Sequence, residues 1–160
     1  MLLASLGSIR EGYKYVKIGR KLLDKPGYNE MGGEVISIGT QIMCFVDPVQ
    51  CANEFFLQGH DTAMAAGDMS NAIMNRLAYA VGSFWAGANL QVVKENFVAS
   101  RRLMEKQNNL MYLSLQTPIE RRMLTLIGTD ENEQPGDLDL GAAASPQTKM
   151  LICFNKMYMA

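Results

Sequence analysis

Apolar residues in this chain recur every three, four or seven positions, and turn residues interrupt that rhythm at nearly regular intervals. Leu6, Ile9, Tyr13, Val16 and Leu23 share one helix face before Lys25-Pro26-Gly27 stops it. Val35, Ile38, Ile42 and Phe45 make a second face, ended by Asp47-Pro48, where the aspartate is placed to cap the next helix and the proline to open it. A third helix offers Ala52, Phe55 or Phe56, Gly59, Ala63 and Ala66, and Gly67-Asp68 repeats the stop and cap. A fourth carries Ile73, Leu77, Val81 and Phe84 and closes at Trp85-Ala86-Gly87. Asn89 is placed to cap a fifth, with Val93, Phe97, Ser100 and Met104 inward and Lys94, Glu95, Arg101 and Arg102 mostly outward. Asn108-Asn109 breaks that helix, and a sixth runs from about Leu110 to Ile127, where Pro118 is expected to kink or divide it.

The breaks superpose without gaps: residues 22–27, 63–68 and 103–108 lie at offsets of 41 and 40, and Tyr15, Phe56 and Phe97 precede them at comparable distances. Each unit is then a helical hairpin of about forty residues, closer in length to the HEAT or armadillo class than to a strict tetratricopeptide. Gly12 and Gly19, seven apart on one helix, point to a close helix–helix approach, since glycine otherwise costs about 1 kcal/mol in a helix. The expected fold is all-α, with antiparallel helical hairpins stacked as a TPR-like α-solenoid. Residues 1–128 would form three hairpins and residues 129–147 an acidic, Gly- and Pro-containing linker or loop. Residues 148–160 would begin a further, truncated helix with Met150, Phe154 and Met157 on its apolar face. On this reading the chain is a piece of a longer protein, starting and ending in the middle of a hairpin.

Composition narrows the class further. The 160 residues are 48% apolar and 19% charged, with 15 basic against 16 acidic groups, which excludes a disordered tail, a coiled-coil rod and a strongly basic nucleic-acid binder. No apolar run approaches the twenty or so residues of a membrane span, and the opening apolar stretch lacks the basic start of a signal peptide. Cys44, Cys51 and Cys153 are odd in number and irregular in spacing, so a reduced, cytoplasmic setting is expected.

Candidate chemistry is sparse. His60-Asp61 is the one place where the single histidine meets a carboxylate, but neighbouring helix residues point about 100° apart and cannot bond as a dyad. Cys44 and Cys51 straddle the Asp47-Pro48 corner, yet with one histidine and three cysteines in all, and no Cys-x-x-Cys pair, they are expected to be buried apolar side chains. The acidic stretch 129–137 lacks the ligand register of a calcium loop. Arg101, Arg102, Arg121 and Arg122 could form one basic patch for an acidic partner segment, or pair with Glu105 and Glu120. The 12 methionines, Met31, Met43, Met64, Met74, Met104 and Met123 among them, sit mostly beside apolar positions and are expected to fill gaps between helices. No phosphate-binding loop or dinucleotide fingerprint occurs.

Four stretches together resemble a known region. Residues 6–25, with Gly12-Tyr13-Lys14-Tyr15 leading to Leu22-Leu23-Asp24-Lys25, resemble a helix of large multidomain signalling ATPases. Those proteins join a serine/threonine-kinase-like domain, an AAA/STAND-type ATPase and a long tetratricopeptide-like region, commonly followed by GAF and histidine-kinase or nucleotide-cyclase modules. His60 to Asn75, with Ala63-Met64-Ala65-Ala66-Gly67-Asp68 leading to Ala72, is similar to that region's Gly-Asp hairpin. Phe84-Trp85-Ala86-Gly87 falls at its aromatic turn, and Phe154-Asn155-Lys156-Met157 looks like the start of its next helix. Pro26-Gly27, Gly32-Gly33 and the acidic loop depart from the pattern. The resemblance implies a non-catalytic segment for protein–protein interaction and interdomain relay, without cofactor or metal, whose partners are other domains of its parent or a protein partner. Neither nucleic acid, membrane nor small-molecule substrate is expected. A self-standing TPR-like adaptor for a peptide or helix is the alternative, and a small enzyme using His60 or a cysteine a remote one.

Overall fold

A computed structural model describes residues 7–25, 29–129 and 135–136. They form six α-helices and no strand: α1 (Ile9–Leu23), α2 (Gly32–Met43) after a 3-10 turn (Asn29–Met31), α3 (Val49–Ala65), α4 (Met69–Trp85), α5 (Leu90–Lys106) and α6 (Leu110–Ile127). The chain divides into two compact units, Met1–Ala86 and Gly87–Ala160. The expected linker lies largely outside the described residues, and the expected terminal helix wholly so.

The hairpin turns follow directly from local sequence. Gly67 turns left-handed (φ 74°) after α3, and Asn108 does the same (φ 51°) after α5, asparagine being one of the few side chains that tolerate this region. Both turns close with the same pair of backbone bonds. Asp68 N–H donates to Ala63 O and Asn109 N–H to Met104 O, each at 2.8 Å, while Gly67 and Asn108 donate to Met64 and Glu105 at 3.1 and 3.0 Å. Asp68 and Asn109 then cap the following helices, accepting from the amides of Asn71 and Tyr112 at 3.1 and 3.2 Å. Asn89 caps α5 through the Gln91 amide at 2.9 Å.

The expectation for Asp47-Pro48 is corrected, and so is that of a helix divided at Pro118. Pro48 itself occupies the cap position of α3, and no side chain caps that helix. Asp47 instead accepts the Tyr13 hydroxyl at 2.8 Å, tying α1 to the α2–α3 corner, and this bond with the carboxylate raises the Tyr13 pKa. Pro118 neither divides nor ends α6, which runs unbroken through 18 residues with the ring buried. Its missing N–H deprives the Ser114 carbonyl of its usual i+4 donor, a cost the packing of the helix outweighs.

The Asp68 cap makes stability depend on pH. Bonds from the Asn71 side chain and amide hold its carboxyl below the usual carboxylate range. A depressed folded pKa contributes stability above the unfolded value of about 4, and that contribution is lost as pH falls through the folded value. Asp68→Asn keeps a capping oxygen without the charge. Its thermal midpoint is expected to fall less than the wild type's between about pH 6 and about pH 2; parallel declines would show that the carboxylate charge contributes nothing.

In the first unit α1 packs on α2, α2 on α3 and α3 on α4, and α2 also touches α4, so α2 lies along the groove between the two helices that follow it. Backbone approaches closely there. A Cβ on Gly33 would stand 2.5 Å from Ala63 Cβ, and one on Gly32 2.5 Å from Thr62 Cγ2. Val16, Ile42, Met43 and Ala52 form a core under Tyr13, Ile38, Cys44 and Phe55. The Arg20 guanidinium stacks 3.5 Å from the Phe55 ring centre and reaches Met43 Sδ at 3.5 Å, so α1 contacts α3 as well. In the second unit α5 packs on α6, with Val93, Phe97, Met104 and Met123 fully buried.

Burial keeps a common register. Gly12 and Val16 of α1 are buried, as are Ala52, Phe56, Gly59 and Ala63 of α3 and Val93, Phe97, Ser100 and Met104 of α5. Residue by residue these positions lie 40 and then 41 apart. Phe45 departs from its expected place: it is 72% exposed, because α2 ends at Met43 and the turn carries its side chain away from the core.

Candidate functional site

The four arginines of the expected patch have unlike surroundings. Arg101 of α5 faces α6, donating through Nε at 3.0 Å and Nη2 at 2.5 Å to Glu120 Oε2, and through Nη2 to Thr117 Oγ1 at 3.2 Å. The pair is largely shielded, with side chains 18% and 6% exposed, and Glu105 stands at the rim 3.9 Å from Arg101 Nη1. Gln116 completes the cluster, its amide donating to Glu120 Oε2 and to the Phe97 carbonyl, both at 3.0 Å. Arg101, expected mostly outward, therefore works as an interhelical clamp. The reason is positional: Glu120 is itself buried on α6 and draws the charge inward. Arg121 donates to the Pro135 carbonyl at 2.5 Å, and Arg102 and Arg122 are exposed.

His60 is half-buried on α3, with Nδ1 2.9 Å from the Ala72 carbonyl of α4. A carbonyl only accepts, so Nδ1 carries the proton in this contact and His60 joins the two helices. Asp61 is exposed. Cys44 is half-buried, and burial raises its thiol pKa; Cys51 is exposed, not buried as expected, because it lies in the first turn of α3. Cys153 lies outside the described residues. Among the described residues no three His, Cys, Asp or Glu side chains gather as metal ligands, and no helix is long and apolar enough to cross a membrane.

A buried polar lock between α3 and α4 was not foreseen. Asn53 of α3 faces Gly82 of α4, and Asn75 of α4 faces Gly59 of α3, so the antiparallel pair exchanges the same contact twice. In each case a Cβ on the glycine would collide with the carboxamide oxygen opposite, so the glycine Cα–H points at that oxygen, which has no conventional donor among the described residues. The amide ends are bonded conventionally. Asn53 Nδ2 donates to Ser83 Oγ at 3.0 Å, and Asn75 Nδ2 donates to Gly33 O at 2.9 Å and Asn71 O at 2.8 Å. Asn75 thus also ties α4 to α2. The available signal was an asparagine and a glycine about two turns apart on each of two consecutive helices. Asn75→Ala is expected to cost about 2 kcal/mol, since it empties a fully buried site and removes the side-chain bonds to the Gly33 and Asn71 carbonyls. Urea denaturation with an unchanged midpoint would rule out the lock as a stabilising contact.

An apolar groove runs between α1 and α2. Its volume is about 400 Å³, with Gly19, Val35 and Ile38 in its lining and Tyr15 and Met31 at its edges, 61% and 64% exposed. Glu34 is the one charged residue of the lining. A second apolar groove of about 420 Å³ lies where Phe45 and Phe56 meet Val81 and Trp85. The described residues are therefore all-helical, with packed neighbouring helices joined at several points by side-chain hydrogen bonds. No protein-family model, curated protein or solved structure matches the chain.

Proposed function

We propose that this chain is a non-catalytic helical-repeat segment, a TPR-like α-solenoid, that binds protein surfaces and relays rearrangements between domains of a larger cytoplasmic signalling protein. The observation that supports this reading most is the shared burial register, 40 and 41 residues apart, of α1, α3 and α5. Helices that repeat a buried face at fixed spacing form arrays in which each hairpin leans on its neighbour, and such arrays present extended faces to partners. The side chains with the most chemical potential, His60 and Arg101, support it too, since both join helices. Relay is the part that rests on the sequence resemblance: a stack of hairpins between an ATPase and an output module passes movement along its length.

The test begins with the full transcript. If it encodes ATPase and signalling modules around these residues, deleting 9–127 should leave each flanking activity intact while the output stops responding to nucleotide. A transcript without such modules removes the relay and leaves an adaptor; an output that still responds after the deletion removes it as well.

A further inference from the structure

We infer that residues 35–46 are a self-association segment, held as α2 and its following turn in the folded chain and stacking, once released, as β-strands on the same segment of a second copy. This goes beyond the reading of the chain as a helical-repeat segment and does not depend on it.

From Val35 to Val46 the sequence contains no charged residue and no proline. Val35, Ile36, Ile38, Thr40, Ile42 and Val46 are β-branched, side chains that fit a pleated surface well and lose χ1 freedom in a helix. Laid out as a strand, Ile36, Ile38, Thr40, Ile42, Cys44 and Val46 fall on one face. Ser37 and Gln41 fall on the other, with Gly39 between them. Charge returns at Glu34 and at Asp47-Pro48, and it is beside such runs that natural sequences place residues opposing strand assembly.

The helix forms against these preferences. Gly32, Gly33 and Gly39 stand among the 12 residues of α2, and Met31 at its cap position makes no side-chain capping bond. Packing on α3 and α4 holds α2 in place, helped by the bond from Asn75 Nδ2 to the Gly33 carbonyl at 2.9 Å. Seated there, Ser37 Oγ and Thr40 Oγ1 are fully buried and have no hydrogen-bond partner among the described residues. An in-register stack offers each hydroxyl its own copy as a partner and sets Gln41 in a ladder of side-chain amides. The segment therefore has two packings, a helix that leaves two buried hydroxyls unpaired and a strand stack that pairs them. The fold guards against the second by burying Ile36, Thr40, Ile42 and Met43, while Phe45 and Val46 are already 72% and 45% exposed.

A synthetic peptide of residues 34–47 and the full 160-residue chain test this, each followed by thioflavin T fluorescence at neutral pH. The peptide is expected to form fibrils with a meridional reflection at about 4.7 Å. Sheared peptide fibrils are expected to shorten the lag of full-chain assembly about tenfold, because they template the same strand. The protease-resistant core of the resulting fibrils should include residues 35–46. Phe45→Lys/Val46→Lys puts charge on two exposed side chains, so it should keep the wild-type circular dichroism and melting profile yet no longer respond to the seeds. Val46→Lys alone repeats the comparison with Phe45 left in place. Asn75→Ala removes the tie to Gly33 and should assemble sooner than wild type. A peptide that stays soluble, or gives only amorphous precipitate, overturns the inference. Equal seeded growth of the wild type and both lysine variants overturns it, as does a resistant core that excludes residues 35–46. An unchanged lag in Asn75→Ala overturns the release of α2 as the step that admits a second copy. None of these outcomes bears on relay, which the transcript and the deletion decide.

Discussion

Glu120→Ala is expected to destabilise the second unit by about 3 kcal/mol, because it leaves the shielded Arg101 guanidinium without its counter-charge. The competing terms are smaller. Alanine favours a helix interior by a few tenths of a kcal/mol, and Glu105 at the rim offers Arg101 only a solvent-screened contact at 3.9 Å. Gln116 also loses one of its two acceptors, which adds to the loss. Urea denaturation of Glu120→Ala, Arg101→Leu and the double variant Arg101→Leu/Glu120→Leu separates the desolvation cost from the attraction. The double variant should recover much of the loss, since two apolar side chains replace a pair that is costly to bury. Equal losses in all three would mean that packing, not charge, holds α5 to α6 at this point. Neutral Glu120→Gln, which keeps the shape and one acceptor, should fall between wild type and alanine.

Gly33→Ala and Gly19→Ala are expected to move stability in opposite directions. At Gly33 the new Cβ would stand 2.5 Å from Ala63 Cβ and 3.1 Å from Ala63 Cα, a methyl fixed to backbone with no flexible end to yield. Overpacking of this kind costs about 2 kcal/mol or more, against a helix-propensity gain of at most about 1 kcal/mol in the first turn of α2. At Gly19 the same methyl meets only Val35 Cγ1 at an ordinary 3.5 Å, so propensity wins and a gain of about 0.5–1 kcal/mol is expected. Thermal midpoints of the two variants measured side by side decide the matter. A shift of the same sign in both would mean that close helix approach does not govern where this fold needs glycine.

The contrast between these glycines marks the limit of what periodicity reveals. The spacing of Gly12 and Gly19 points to a close helix approach, but a Cβ on Gly19 would meet only Val35 Cγ1 at 3.5 Å, while tight crossings fall at Gly32, Gly33, Gly59 and Gly82. Spacing along one helix identifies a face; which point of that face meets another backbone depends on the rotation and offset of the neighbour. Arg101 teaches the same lesson about charge. It stands beside exposed Arg102 on α5, and only the buried Glu120 on α6 turns it inward. The Asn53–Gly82 and Asn75–Gly59 contacts were hidden for the same reason, each being made by residues on two different helices. Phe45 and Cys51 depart from expectation because helix ends, unlike helix middles, rotate side chains out of register.

What the sequence determined by itself is local. The left-handed turns at Gly67 and Asn108, the caps at Asp68, Asn89 and Asn109, and the buried faces of α3 and α5 all follow from residue identity and the 3.6-residue period, because these contacts close within a few residues. The tertiary structure decided everything that needs two helices at once: α2 in the groove of α3 and α4, the asparagine–glycine lock, the Arg101–Glu120 clamp, and the open groove of α1 and α2. Those contacts join residues far apart in the chain, and they depend on how helices cross rather than on how each one forms.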